Sequence, residues 1–167
     1  MVAIVVILAV TVSVFAFGFT EKTTEAGPIV GQSSGKLVPQ DGSDDGIVRI
    51  THLGGDTIQV SNMEVVVDAS DACGKHGRLV NLPVPSSGND IEDSNIEGDD
   101  IFDQRAYGFS GVPGPNAIHE SEYAATDEVA FRITSSACPI TQGDEITVRI
   151  VHTPTNSVVI KQTLTAS

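Results

Sequence analysis

Residues 47–67 read IVRITHLGGDTIQVSNMEVVV. From Ile47 to Leu53 apolar and polar side chains alternate, with Val48 and Ile50 on one face and Arg49 and Thr51 on the other. That period of two marks a half-buried strand. Gly54-Gly55-Asp56 turns the chain. A second β stretch, Thr57–Asp68, has a parity slip: Ile58 and Val60 are even, Met63, Val65 and Val67 odd. Successive side chains of a strand point to opposite faces, so the slip predicts a bulge or a strand break at Ser61-Asn62.

Strand patterns continue on either side. Arg78–Val84 is short and ends at Pro83 and Pro85, and 86–126 is mostly irregular. Glu128–Ser135 alternates Val129, Phe131 and Ile133 against Ala130, Arg132 and Thr134. Glu145–Thr153 places Ile146, Val148, Ile150 and His152 on one face, and Pro154-Thr155-Asn156 turns it back into Ser157–Thr165 as a terminal hairpin. Upstream, Ile29, Val30, Leu37 and Val38 suggest a short first strand within a Gly-, Ser- and Pro-punctuated linker. Six or seven short strands joined by turns predict an antiparallel sandwich. Helix signals are nearly absent after residue 25.

The N-terminus differs in kind. Val2–Phe19, VAIVVILAVTVSVFAFGF, carries no charge, and the first charged residue is Glu21. As a helix it would span roughly 27 Å, close to the hydrocarbon thickness of a bilayer. Four readings compete. A cleaved secretory signal wants a basic region before the run and a small-residue cleavage site; here Ala16-Phe17-Gly18 is a poor one. A buried core helix wants a polar stripe, which Thr11 and Ser13 do not make. A single-span anchor, or a helix that sits in a membrane and then packs against copies of itself, both fit the composition. The expected fold class is α+β: a long N-terminal hydrophobic α-helix followed by an antiparallel Ig-like β-sandwich head. Its divisions are an assembly or transmembrane helix over 1–22, a linker over 23–46 and a head over 47–167. Ile4, Ile7, Leu8, Val12, Phe15 and Phe19 are the apolar residues through which such helices would meet.

Composition narrows the partners. The chain has 167 residues, with 22 acids against 9 bases and a net charge of −13. That balance argues against nucleic acid as a partner, and against docking of the head on anionic headgroups. A large acidic excess repels itself at low ionic strength, whereas concentrated salt shortens the screening length to ~3 Å, so a halophilic setting is expected. Cys73 and Cys138 belong to no CxxC pair. An even count outside a membrane favours one disulfide; two unpaired buried thiols are the alternative.

Three stretches carry a resemblance. MVAIVVILAVTVSVFAFGF at the N-terminus, IVRITHLGGDTIQVSNMEVVV with its isoleucine-x-His-x-Gly-Gly-Asp pattern, and GDEITVRIVHTPTNSVVIKQTL at 143–164 are together similar to the archaeal type IV pilin family in its haloarchaeal branch. Residues 70–126 contribute nothing to the likeness. The resemblance implies a prepilin cut by a dedicated peptidase, membrane-embedded before assembly, then polymerised with copies of itself into an extracellular, adhesive filament on the cell surface. The spacing offers no catalytic constellation, so no enzymatic role and no cofactor are expected. The family's basic signal and cleavage site would precede the point at which Met1 stands, so the sequence is expected to be incomplete at its N-terminus.

Candidate chemistry is sparse. No His-x-x-Glu-His or Gly-x-Ser-x-Gly arrangement occurs. His52, His76, His119 and His152 are expected to line or cap sheets rather than bind metal. Asp41-x-Ser43-x-Asp45-Gly46 and Asp93-x-Asn95-x-Glu97-Gly98 open like calcium loops, but their twelfth positions are His52 and Gln104 where a bidentate Glu is needed. No Asn-x-Ser/Thr sequon is present. Residues 88–115 combine acids such as Asp90, Asp93 and Asp99 with Phe102, Tyr107 and Phe109. They are expected either to form a surface loop contacting a neighbouring subunit or an adhesion target, or to pack their aromatics over one end of the sandwich.

Overall fold

The computed structural model describes residues 27–40, 45–84, 91–103 and 116–167. Ten strands follow the alternating stretches: β1 (Val30–Val38), β2 (Gly46–Gly55), β3 (Ile58–Gln59), β4 (Met63–Ala69), β5 (Lys75–Leu79), β6 (Ile96–Gly98), β7 (Glu122–Tyr123), β8 (Glu128–Ile133), β9 (Glu145–His152) and β10 (Ser157–Thr165). One sheet has the order β1-β2-β8, a second β10-β9-β4-β5-β6, and β3 pairs with β7 as a small ribbon. All these pairings are antiparallel. The single α-helix among the described residues is α1, Ser70–Cys73, which ends at Gly74 with φ 74°.

Register converts the alternation into a core. Leu37, Val48 and Phe131 stand in one row across the first sheet. Leu79, Val65, Ile150 and Ile160 make a matching row across the second. These residues are all buried and belong to one apolar cluster shared by the two sheets. The parity slip has a definite form. A 3-10 turn at Val60–Asn62 separates β3 from β4, so that Ile58, Val60, Met63 and Val65 all reach the core.

Exposed strand edges invite pairing with other chains, and those of β8, β1 and β10 are engaged within the molecule. On the outer edge of β8, Asp103 N–H donates to Arg132 O at 3.0 Å and Thr134 N–H to Ile101 O at 2.9 Å. The Asn116 side chain serves the same edge: Nδ2 donates to Ala130 O at 2.6 Å and Oδ1 accepts the Ala130 N–H at 3.0 Å. One amide group thus stands in for a strand residue. The edges of β1 and β10 face each other. Ser167 N–H donates to Leu37 O, and Gln162 Nε2 donates to Ser33 O at 3.3 Å and Oγ at 2.8 Å. At Gly35 a Cβ would lie 2.5 Å from Leu164 Cδ2, so glycine permits this approach.

These findings correct the expected fold class. The described residues are β-rich sheets in a three-, five- and two-stranded arrangement, not a long helix plus an Ig-like sandwich. Among the described residues no helix is long and apolar enough to cross a membrane, which overturns the transmembrane-helix expectation for them. Residues 1–22 lie outside the described residues, and Ile4, Ile7, Leu8, Val12, Phe15 and Phe19 with them. The physical reason for the β-rich result is the period-two alternation of β2, β4 and β9, in which every second residue is buried. The expected linker also differs: Val30–Val38 is strand throughout, and Leu37 fills the core opposite Val48. The strand expected at Arg78–Val84 is shifted to Lys75–Leu79; Val80, Leu82 and Val84 are buried outside any strand.

Candidate functional site

Gly27 stands three residues before β1, beside the β9–β10 turn. A Cβ on Gly27 would lie 2.8 Å from Thr155 Oγ1, so entry and turn touch. Two residues on, Ile29 is held by Asp56. The Asp56 N–H donates to Ile29 O at 2.8 Å, and Asp56 Oδ2 accepts the Ile29 N–H at 3.0 Å. Gly55 makes this possible. Its φ is 125°, and a Cβ there would lie 2.4 Å from Ile29 O and 2.8 Å from Gly31 N. An L side chain would meet both backbone strain and backbone atoms.

His52 supports the clamp from inside. It is fully buried, and its Nε2 lies 2.7 Å from Asp56 O. A carbonyl oxygen only accepts, so Nε2 is the donor. His52 Nδ1 has no hydrogen-bond partner among the described residues. The imidazole stands edge-on to Tyr123, with ring centroids 5.4 Å apart. Tyr123 OH donates to Ile50 O at 2.7 Å. Burial pushes the phenol pKa up, with smaller contributions from Glu128 and Asp127, so the hydroxyl stays protonated. The His52 main chain is held in turn: its N–H donates to Asp127 O, and its carbonyl accepts the Thr126 N–H at 2.7 Å. Thr126 has φ 80°, a left-handed conformation that a β-branched residue rarely adopts.

The His-x-Gly-Gly-Asp stretch is therefore a structural clamp. His52 braces the Asp56 carbonyl, Gly55 admits the incoming chain, and Asp56 grips both backbone groups of Ile29. Two backbone bonds, one to a carboxylate, fix the direction in which the chain arrives.

The remaining expected site residues fall in separate places. Cys73 and Cys138 are joined, with an S–S distance of 2.06 Å and Cα atoms 5.4 Å apart. Lys75 Nζ donates to Ala137 O beside the bridge at 2.8 Å. Asp93 lies on the surface in a 3-10 turn, and Asp99 Oδ2 accepts the His76 N–H at 3.0 Å. Phe102 is buried edge-on against Phe131, which bears out core packing for this one aromatic. Asp90, Tyr107 and Phe109 lie outside the described residues.

Of the calcium-like loops, Asp93–Gly98 is committed to other bonds. Asn95 Nδ2 donates to Val80 O and Asn81 O, its Oδ1 accepts the Glu92 N–H, and Glu97 pairs with Arg78. In the other, residues 41–44 lie outside the described set, and Asp45 Oδ1 accepts the Ser135 N–H. Burial alone would raise the Asp45 pKa. Hydrogen bonds with Asp103 and Ser135 and the nearby Arg132 charge outweigh it and hold the carboxyl below its usual range. Among the described residues no three His, Cys, Asp or Glu side chains group as metal ligands.

His119 Nδ1 faces Val84 O at 3.3 Å, and His152 Nδ1 faces Thr155 Oγ1 at 2.8 Å. His76 stands exposed beside Asp68.

No protein-family model matches the chain, and no curated protein matches it. Tyr123, Thr126 and Asn116 were missed by sequence reasoning, because each lies in or beside the stretch read as irregular and acts through a long-range contact.

Proposed function

We propose that the chain is a structural, non-enzymatic subunit of an extracellular, type IV pilus-like filament that serves surface adhesion. The observation that carries this reading is the clamp on Ile29. It secures the head where the chain arrives from the uncharged run Val2–Phe19, and it is built from the residues of the His-x-Gly-Gly-Asp pattern. A head that bears load through one connection needs that connection oriented and reinforced. The engaged edges of β1, β8 and β10 complement this role, since they leave ordered assembly to other surfaces. The disulfide fits an oxidising, extracellular location. In this reading the subunit rests in the membrane before assembly and polymerises with copies of itself through its N-terminal apolar run. Nucleic acid is not among its partners.

The test is electron microscopy of material sheared from cells that produce the chain. Thin fibres containing it are the expected result. Val10→Asp, which places a charge within the apolar run, should abolish them. Normal fibre yield from that variant overturns assembly through the run.

A further inference from the structure

The five-stranded sheet carries one cross-strand row on its outer face: Lys161, Arg149, Val66, Arg78 and Glu97 are successive register partners from β10 to β6. Arg78 is answered by Glu64 and Glu97. Lys161 and Arg149 stand directly opposite each other, and among the described residues neither has a carboxylate within ion-pair distance. Like charges facing each other across a strand pair are destabilising. This juxtaposition occurs in a chain with 22 acids and only 9 bases. The pair is flanked on one side by Thr147 and Thr163 and on the other by Val151 and Val158, the last 53% exposed. Cations beside hydroxyls and an exposed aliphatic make a polar patch with an apolar margin, as interface rims and cores do.

The opposite edge of the same sheet has the complementary character. Glu92, Asp93, Glu97, Asp99 and Asp100 are all exposed around β6; Arg78 pairs with Glu97, and Asp99 accepts the His76 N–H. Four strand spacings separate β10 from β6, about 19 Å at ~4.8 Å each. One molecule therefore presents a cationic patch and an acidic edge that cannot reach each other.

We propose that the Arg149–Lys161 patch docks on the β6 acidic edge of a second copy of this chain. Such a contact joins different surfaces on the two copies, and when repeated without closing it builds a fibre rather than a ring. It rests on the filament reading and supplies the head-to-head contact within it. In concentrated salt only direct pairs survive screening, so the guanidinium and ammonium must touch carboxylates rather than steer from afar.

The experiment compares fibre yield of the full chain, by sedimentation and microscopy, for wild type, for Arg149→Glu with Lys161→Glu, and for that double variant with Asp93→Lys and Asp100→Lys added. The expected result is at least a tenfold fall in the double variant and recovery in the quadruple one. Unchanged yield in the double variant overturns the contact and leaves the filament reading standing. A fall without recovery overturns the acidic edge as the partner. Absence of fibres from wild type overturns the filament reading and this contact together. Because a reversed patch can fail to fold, wild-type fibres assembled from two isotopic forms are also treated with a zero-length carbodiimide cross-linker. Lys161 should link to an acid within 92–100 of the other isotopic form. Cross-links from Lys161 confined to one form, or none, overturn the proposal.

Discussion

Asp56 holds both backbone groups of Ile29, donating its own N–H to the carbonyl at 2.8 Å and accepting the N–H on Oδ2 at 3.0 Å. A side chain and a main chain act on the same residue, so the clamp can be dismantled in parts. Asp56→Ala removes only the carboxylate bond, which at this exposed position should lower stability by about 1 kcal/mol. Hydrogen exchange should quicken at the Ile29 amide while the amides of β4 and β9 keep their protection. Uniform loss of protection would show that the clamp is part of the core rather than a local fastening.

Gly55→Ala strikes the same junction harder. The added Cβ meets Ile29 O at 2.4 Å on a backbone at φ 125°. We expect a loss of about 2–3 kcal/mol, from strain and a displaced β1. Gly54→Ala is the control, since a Cβ there has no atom within 4 Å. Chemical denaturation of both variants checks the contrast, and equal midpoints would refute the assigned role of Gly55.

Opening the Cys73–Cys138 bridge should cost about 4 kcal/mol on the chain-entropy account, since it spans 65 residues. The double serine variant is the cleaner comparison, with the denaturation midpoint as readout. A shift under about 1 kcal/mol would mean that the packing of α1 against β9 suffices without the bridge.

Acid should weaken the fold through two groups of opposite type. Burial keeps the His119 pKa below its usual 6.5. The unfolded chain therefore takes up the proton first, and stability present above pH 6.5 falls as pH drops toward the folded value. His119→Gln should flatten that part of the profile. Asp68 titrates lower, held below 3.8 mainly by hydrogen bonds from Ser70. Its contribution is present above pH 3.8 and disappears as pH falls through the depressed value. Thermal melts from pH 8 to 3 on wild type, His119→Gln and Asp68→Asn separate the two steps.

Salt should act as a stabiliser. With a net charge of −13, the melting temperature should climb steeply from dilute buffer and flatten near molar salt as screening saturates. A flat profile would mean that local pairs such as Arg49–Glu128, 3.2 Å apart, already neutralise the repulsion.

The strands were legible where alternation was strict. β10 has the bounds expected from its sequence, and β2, β8 and β9 differ by a residue or two. The parity slip at Ser61-Asn62 correctly located a break, although not that a 3-10 turn would fill it. Short elements were not legible. β6 and β7 have three and two residues, too few to display a period, and they exist because β5 and β3 supply their partners. Fold class was misjudged because the apolar run of 2–19 dominated the reading, whereas the long strands β2, β4 and β9 follow the period-two pattern. In the clamp, the residues of the pattern were visible but their role was not. Its target, Ile29, lies 27 positions before Asp56, a separation over which sequence spacing carries no geometry.

Asp103 and Asn116 fasten to Arg132 and Ala130, two positions apart on one rigid strand. The chain thus leaves the described residues at Asp103 and rejoins them at Asn116, at points about 7 Å apart along β8. Ends held that near to each other accept connections of many lengths, since doubling a flexible connection adds only about 0.6 kcal/mol of closure entropy. An epitope or affinity tag spliced between Asp103 and Asn116 should therefore leave the two sheets folded.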